Sequence, residues 1–209
     1  MFDSIIFDLD GTLWDSTVPI CESWNVVLKR HAEIKRPPVT INELGECMGL
    51  PMYDIAAKLF PLESKEVQTA IMDELCAYEN EYLSEHGARL FENVLSLLSK
   101  RYRLFIVSNC QDGYIEAFLK AHRLAKYFDD TECWGRTRTC KGESNKILIK
   151  RNNLCNPVYA GDTSGDAESA DYAGIPFIYA AYGFGNVSSD KYIAKIDDIK
   201  NLPELMEEL

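Results

Sequence analysis

Ile5-Ile6-Phe7-Asp8-Leu9-Asp10-Gly11-Thr12 opens the chain with three apolar residues that run directly into two carboxylates one residue apart. A short apolar run closed by a glycine signal reads as a strand buried on both faces, as in parallel sheets. Such a strand delivers Asp8 and Asp10 to its carboxyl end, where open α/β sheets bind their ligands. Two acids crowded there repel one another and invite a divalent cation, an arrangement suited to phosphate chemistry. In a regular strand the two side chains would point to opposite faces. The backbone is therefore expected to turn at Asp10, with Gly11 supplying the conformational freedom.

Later stretches repeat this pattern. Arg103-Leu104-Phe105-Ile106-Val107 leads into Ser108-Asn109, and Pro157-Val158-Tyr159-Ala160 leads into Gly161-Asp162-Thr163-Ser164-Gly165-Asp166. Between them, Cys140-Lys141-Gly142-Glu143 precedes a helical pattern, and Phe177-Ile178-Tyr179 reads as a further strand. Helices are expected from about Phe91 to Lys100, from about Asp112 to His122 and around Ile147-Leu148-Ile149. Another, marked by Ala167, Ala170 and Ala173, ends at Gly174. Strands alternating with helices imply right-handed crossovers and a doubly wound parallel sheet, an α/β fold.

The segment from Ser16 to Glu85 breaks the alternation. Cys21, Trp24 and Val27-Leu28 recur at helical spacing until Pro37-Pro38. Thr40-Ile41-Asn42-Glu43 has the form of a capping box and starts a second helix, ended by Gly49 and Pro51. A short third helix runs to Phe60, and Val67, Ile71, Leu75, Tyr78 and Tyr82 mark one face of a long fourth. No strand pattern interrupts them, so the segment reads as an all-helical insertion.

Taken in order, the four polar strand and helix ends resemble the four motifs of the haloacid dehalogenase superfamily, and the chain is similar to its phosphatase-type members, the phosphoglycolate phosphatases. The resemblance implies a Rossmann-like core of residues 1–15 and 86–209, with residues 16–85 as a small helical cap over the site. It implies Asp8 as a nucleophile that forms an aspartyl-phosphate. Asp10 would be the general acid and then the base. Lys141 would neutralise charge beside the transferring phosphoryl group. Ser108, Asn109 and Thr12 are the phosphate-binding candidates, Thr12 by supporting the Asp10 turn. The implied cofactor is Mg²⁺, held by Asp8, Asp10 through its carbonyl, and Asp162, with Asp166 acting through water or orienting the shell.

The chain departs from the pattern after Lys141, where relatives carry a proline-containing stretch, so Lys146 stands as a second candidate lysine. Arg136 and Arg138 either meet a charged substrate tail or form a solvated basic loop. Gly45, Cys47, Met48 and Gly49 form a candidate substrate-selecting loop. Asp15 and Ser16 read as a helix cap, Trp14 as packing, and His31, His86 and His122 as structural or exposed. Gly183-Phe184-Gly185 suits either an ordinary turn or a flank of the site. Ile20 stands where β-phosphoglucomutases carry a histidine, which weighs against a phosphomutase, and Asp10 weighs against a carbon–halogen dehalogenase. A phosphomutase and an inactive binding or regulatory relative stay as alternatives to a phosphatase acting on a small phosphate ester.

Composition sets the outer bounds. The 209 residues are 46% hydrophobic, enough for a packed core. A net charge of −11 disfavours nucleic acid and anionic membranes as partners. No apolar run reaches the roughly 18 residues of a membrane span. Asp3 and Asp8 interrupt any apolar signal core, so a cytoplasmic protein is expected. Seven scattered cysteines, without a C-x-x-C pair, read as reduced thiols. Oligomeric state is left open.

Overall fold

Ile5, Ile6 and Phe7 have no exposed surface, because the first strand is covered on both faces and paired on both edges. The computed structural model of the chain describes residues 1–91 and 94–209. In chain order the elements are β1 (Ser4–Phe7), β2 (Trp14–Asp15), α1 (Thr17–Leu28), α2 (Ile41–Gly45), α3 (Met52–Leu59) and α4 (Lys65–His86). Then follow β3 (Arg89–Leu90), α5 (Leu95–Leu98), β4 (Arg103–Ser108), α6 (Tyr114–His122), β5 (Asp130–Cys133) and α7 (Trp134–Thr137). The chain closes with α8 (Lys141–Asn152), β6 (Pro157–Gly161), α9 (Ser164–Ala173), β7 (Phe177–Ala180), β8 (Ala194–Ile196) and α10 (Leu202–Glu208).

The sheet runs β5-β4-β1-β6-β7-β8 with every pairing parallel, so the carboxyl ends of all these strands share one edge. Period-two alternation divides its side chains between two cores. Ile6, Phe105, Val107, Tyr159 and Phe177 pack on one face with residues of α8 and α9. Ile5, Phe7, Leu104, Ile106, Val158 and Ile178 pack on the other, in a core continuous with the helices that follow β2. This is the doubly wound parallel α/β architecture expected. Ala167 and Ala170 are buried and let α9 approach β6 and β7 closely, and Gly174 ends that helix in the left-handed conformation.

Between β2 and β3 the chain forms only helices, and these two short strands pair with each other where the segment leaves and returns. The capping box forms as read, with Thr40 and Glu43 satisfying each other's backbone N–H groups. Its helix is shorter than expected and stops at Gly45. In α4 the buried residues are Ile71, Met72, Leu75, Glu79 and Leu83, whereas of the expected face Val67 is 38% exposed and Tyr78 and Tyr82 are only partly buried. The helix expected from Phe91 to Lys100 is confined to Leu95–Leu98, and its positions 92–93 lie outside the described residues. Among the described residues no helix is long and apolar enough to cross a membrane. All seven cysteines are free thiols.

Candidate active site

Parallel strands β1, β4 and β6 end side by side, and their carboxyl ends build the site. Asp8 extends β1 by one residue, its N–H donating to Ala160 O at 2.8 Å. The chain then turns tightly, with Thr12 and Leu13 N–H both donating to Leu9 O. Gly11 has φ +82°, and a Cβ there would lie 2.2 Å from Asp162 Oδ2. Conformation and close approach therefore both demand glycine at this turn.

Asp8, Asp162 and Asp166 are buried and place one carboxylate oxygen each within 4.8 Å of one another. Lys141 opens α8 and points its ammonium into this group, donating to Asp8 Oδ1 and Asp166 Oδ1 at 2.7 Å each. Burial pushes the Asp8 carboxyl well up, the Asp166 charge adds to this, and Lys141 opposes it. Asp162 is raised to about 7, first by burial and then by Asp166. Burial alone would lower the Lys141 ammonium, but Asp166 and Asp8 outweigh it and raise it.

The three carboxylates are not equivalent. Asp166 Oδ2 accepts from Asp162 N, Thr163 N and Thr163 Oγ1, and its Oδ1 accepts from Lys141 and from Tyr159 OH at 3.3 Å. That saturates the group and locks it in place. Among the described residues Asp162 accepts only Phe184 N at 2.7 Å and a long contact from Thr12 Oγ1 at 3.4 Å. Asp8 keeps one oxygen free of protein donors among the described residues. Three acids against one ammonium leave a buried negative excess, and the donors are hard oxygens with open lone pairs on Asp8 and Asp162. This set fits a divalent cation that prefers oxygen ligands.

Asp10 is held from the opposite side. Its Oδ1 accepts from Tyr114 OH at 2.8 Å and from Ser16 Oγ, and the two hydroxyls also touch each other at 2.9 Å. Burial pushes the Asp10 carboxyl up, while these hydrogen bonds draw it part of the way down. Ser16 therefore occupies the N-cap position of α1 without a capping bond from its side chain. The side chain that meets the helix start is Asp15, accepting from Thr17 N at 3.1 Å.

A cavity of about 50 Å³ opens over these groups. Its floor includes Asp8, Asp10, Lys141, Ser108 and Asn109. Its roof comes from the inserted helices, through Ile20 and Trp24 of α1, Glu79 of α4, and the Cys47-Met48-Gly49 loop. Asn109 Nδ2 ties core to roof by donating to Gly49 O at 2.9 Å. Thr12 is buried but faces Asp162 rather than the cavity, and Gly45 is not part of the wall.

Lys146 stays outside the cluster, its ammonium 4.0 Å from the centre of the Tyr172 ring. Arg136 is spent on Glu116 and Glu132, whereas Arg138 stacks on Trp134 at 4.4 Å. Trp14 packs edge-on against Tyr114 and Phe118. The Gly183-Phe184-Gly185 segment does flank the site, with Gly183 pressed against Asp162. Sequence reading missed Ser16, Tyr114, Glu79 and Gln111. Ser16 followed a helix-start pattern, and the other three lie on helical or turn segments without any motif.

Comparison with known proteins agrees with this geometry. The family description "Haloacid dehalogenase-like hydrolase" matches residues 5–180. A phosphoglycolate phosphatase from Rhodobacter capsulatus is 25% identical over 99% of this chain and 98% of its own. A haloacid dehalogenase-like family hydrolase from Streptococcus pneumoniae superposes with a TM-score of 0.81 at 20% identity, covering 98% of each chain. A β-phosphoglucomutase from Clostridium difficile gives 0.78 at 17%, covering 100% of this chain and 96% of its own. Fold likeness at such identity includes a hydrolase and a mutase alike and does not choose between them. The match over most of the length, together with the Asp8, Lys141 and Asp162 arrangement at the strand ends, means that the chain belongs to the haloacid dehalogenase-like hydrolase family.

Proposed function

We propose that this chain is a Mg²⁺-dependent phosphatase that hydrolyses a small phosphomonoester through an aspartyl-phosphate on Asp8, in the manner suggested by its likeness to phosphoglycolate phosphatases. The observation that carries the reading is the Lys141 ammonium bridging Asp8 and Asp166 at 2.7 Å, beneath a small cavity. Residues 16–85 act as the cap that encloses the substrate, and residues 1–15 and 86–209 as the catalytic core.

The Asp8 oxygen not held by Lys141 attacks phosphorus, and the P–O bond to the leaving group breaks. Asp10, whose carboxyl burial pushes upward, delivers a proton to the departing oxygen. Ser16 and Tyr114 aim that carboxyl. The emptied Asp10 then takes a proton from water, which attacks the phosphoryl group and returns Asp8 with release of inorganic phosphate. Lys141 balances the charge gathering on the phosphoryl oxygens, and Ser108 and the Asn109 backbone hold them. Asp8, Asp162 and the Asp10 carbonyl would hold Mg²⁺, with Asp166 orienting the set. When bound, the ion supplies further neutralisation of the phosphoryl oxygens and favours the ionised form of Asp8.

A phosphomutase needs a second phosphate-bearing substrate seated in the cavity and water kept out. The cavity is small, and no histidine lines it among the described residues, with Ile20 at the position noted above. Both features favour the hydrolase. Phosphate release from a panel of small esters, with and without Mg²⁺, tests the reading with wild type and Asp8→Asn. Mg²⁺-dependent release abolished by the substitution is expected. Isomerisation of a sugar phosphate without phosphate release would contradict it.

A further inference from the structure

Glu79 is a carboxyl group that this mechanism does not use. It lies in the middle of α4, 2% exposed, and lines the same cavity as Asp8 and Asp10. Its Oε2 accepts from Trp24 Nε1 and its Oε1 accepts from Gln111 Nε2 at 2.7 Å. Both donors are neutral, and each oxygen keeps a lone pair. Among the described residues no lysine, arginine or histidine pairs with it. A buried carboxylate without a cation is costly unless a partner arrives.

The rest of the cavity sharpens this. Among the described residues its single basic wall residue is Lys141, already committed to Asp8 and Asp166. Beside Glu79 the roof is apolar, through Ile20, Trp24, Leu44 and Ile55. A second, open groove of about 540 Å³ meets the cavity at Lys141 and Asn109 and carries Arg138. Asp10 lines the cavity and not that groove. The leaving oxygen must reach Asp10 for its proton, so the leaving group projects into the cavity, towards the roof. At about 50 Å³ the cavity favours a compact leaving group over a bulky one.

We propose that the leaving group is a compact alcohol bearing an ammonium, so that the substrate is the phosphate monoester of a small amino alcohol and Glu79 is its specificity-determining partner. A leaving group that ends in a carboxylate gains no ion pair from Glu79 and would be repelled by its ionised form. Burial raises Glu79 to about 8 in the absence of such a partner, with the Gln111 and Trp24 hydrogen bonds opposing and Asp10 adding to the rise. The indole of Trp24 adds an aromatic wall suited to an ammonium. This inference rests on the phosphatase reading above and refines its substrate.

Three esters with leaving groups of matched size test it, namely 2-aminoethyl phosphate, 2-hydroxyethyl phosphate and phosphoglycolate. With Mg²⁺ and wild type, kcat/KM should favour the aminoethyl ester over the hydroxyethyl ester by about 10- to 100-fold, and phosphoglycolate should rank last. Glu79→Gln should collapse the first ratio towards one. Should that variant fail to fold, inhibition of wild type by 2-aminoethylphosphonate, but not by phosphonoacetate, reads the same preference. Turnover of phosphoglycolate equal to or above the aminoethyl ester overturns the inference and leaves the phosphatase reading standing. Loss of that turnover in Arg138→Ala would then assign the leaving group to the outer groove. Absence of phosphate release from all three esters and from p-nitrophenyl phosphate overturns the phosphatase reading itself, and this inference with it.

Discussion

Tyr114, at the start of α6, donates its hydroxyl hydrogen to Asp10 Oδ1 at 2.8 Å across a separation of 104 residues. The bond favours the ionised carboxyl and counters the burial that raises it. Phosphoryl transfer needs Asp10 protonated, so the alkaline limb of kcat/KM reports its ionisation. Tyr114→Phe removes one stabiliser of the anion and should move that limb upward by about one pH unit. A pH–rate profile of the two proteins checks this, and a limb that stays or moves down contradicts it.

Lys141 and Lys146 should separate cleanly. Lys141→Met leaves Asp8 and Asp166 buried without their ammonium. Breaking a buried pair in this way costs about 3–5 kcal/mol of stability, and losing the charge should lower turnover by about 10²–10³-fold. Lys146→Ala removes only an ammonium resting on the Tyr172 ring, and activity should stay within about threefold. Urea unfolding and phosphate release on the two variants give both numbers.

These pairings mark where sequence reading succeeds and where it stops. Ile5–Phe7 is buried on both faces, so its apolar run announces a central strand without outside help. β5, Asp130-Thr131-Glu132-Cys133, lies at the sheet edge and β8 at the other, and their polar or mixed residues carry no such signal. Asp8, Asp162 and Lys141 were legible because they sit at motif positions on strand ends and a helix start. Ser16 and Tyr114 were not, since their role exists only once α6 is laid against the Asp10 turn. Glu79 reads as a solvated helical glutamate until α4 is packed on both α1 and α6.

Glu79 also predicts a pH dependence of stability. Its carboxyl has an ordinary value of 4.5 and holds its proton to about 8 when folded, chiefly because of burial. Between those values the folded state binds more protons than the unfolded one. Stability from this group is therefore complete below pH 4.5 and falls by on the order of 1.4 kcal/mol per pH unit as pH rises towards 8. The titratable groups facing it are Asp10, Tyr114 and Cys76. Glu79→Gln should flatten this component and be the more stable protein at pH 8. Parallel stability curves for the two proteins, measured by denaturant unfolding at several pH values, would contradict it.

Gly11→Ala tests the tight turn. The new Cβ would meet Asp162 Oδ2 at 2.2 Å in a backbone conformation of φ +82°. The conformation alone costs about 1–2 kcal/mol, and displacement of Asp162 should weaken Mg²⁺ dependence as well. Thermal unfolding, with the Mg²⁺ concentration for half-maximal phosphate release, reads both effects.

The central claim is the covalent step on Asp8. Wild type mixed with a turned-over phosphomonoester and quenched with borohydride should yield homoserine at position 8, located by peptide mass spectrometry. Asp8→Asn should yield none. Steady phosphate release from wild type with position 8 unmodified, or with the reduced residue at another aspartate, would contradict the account.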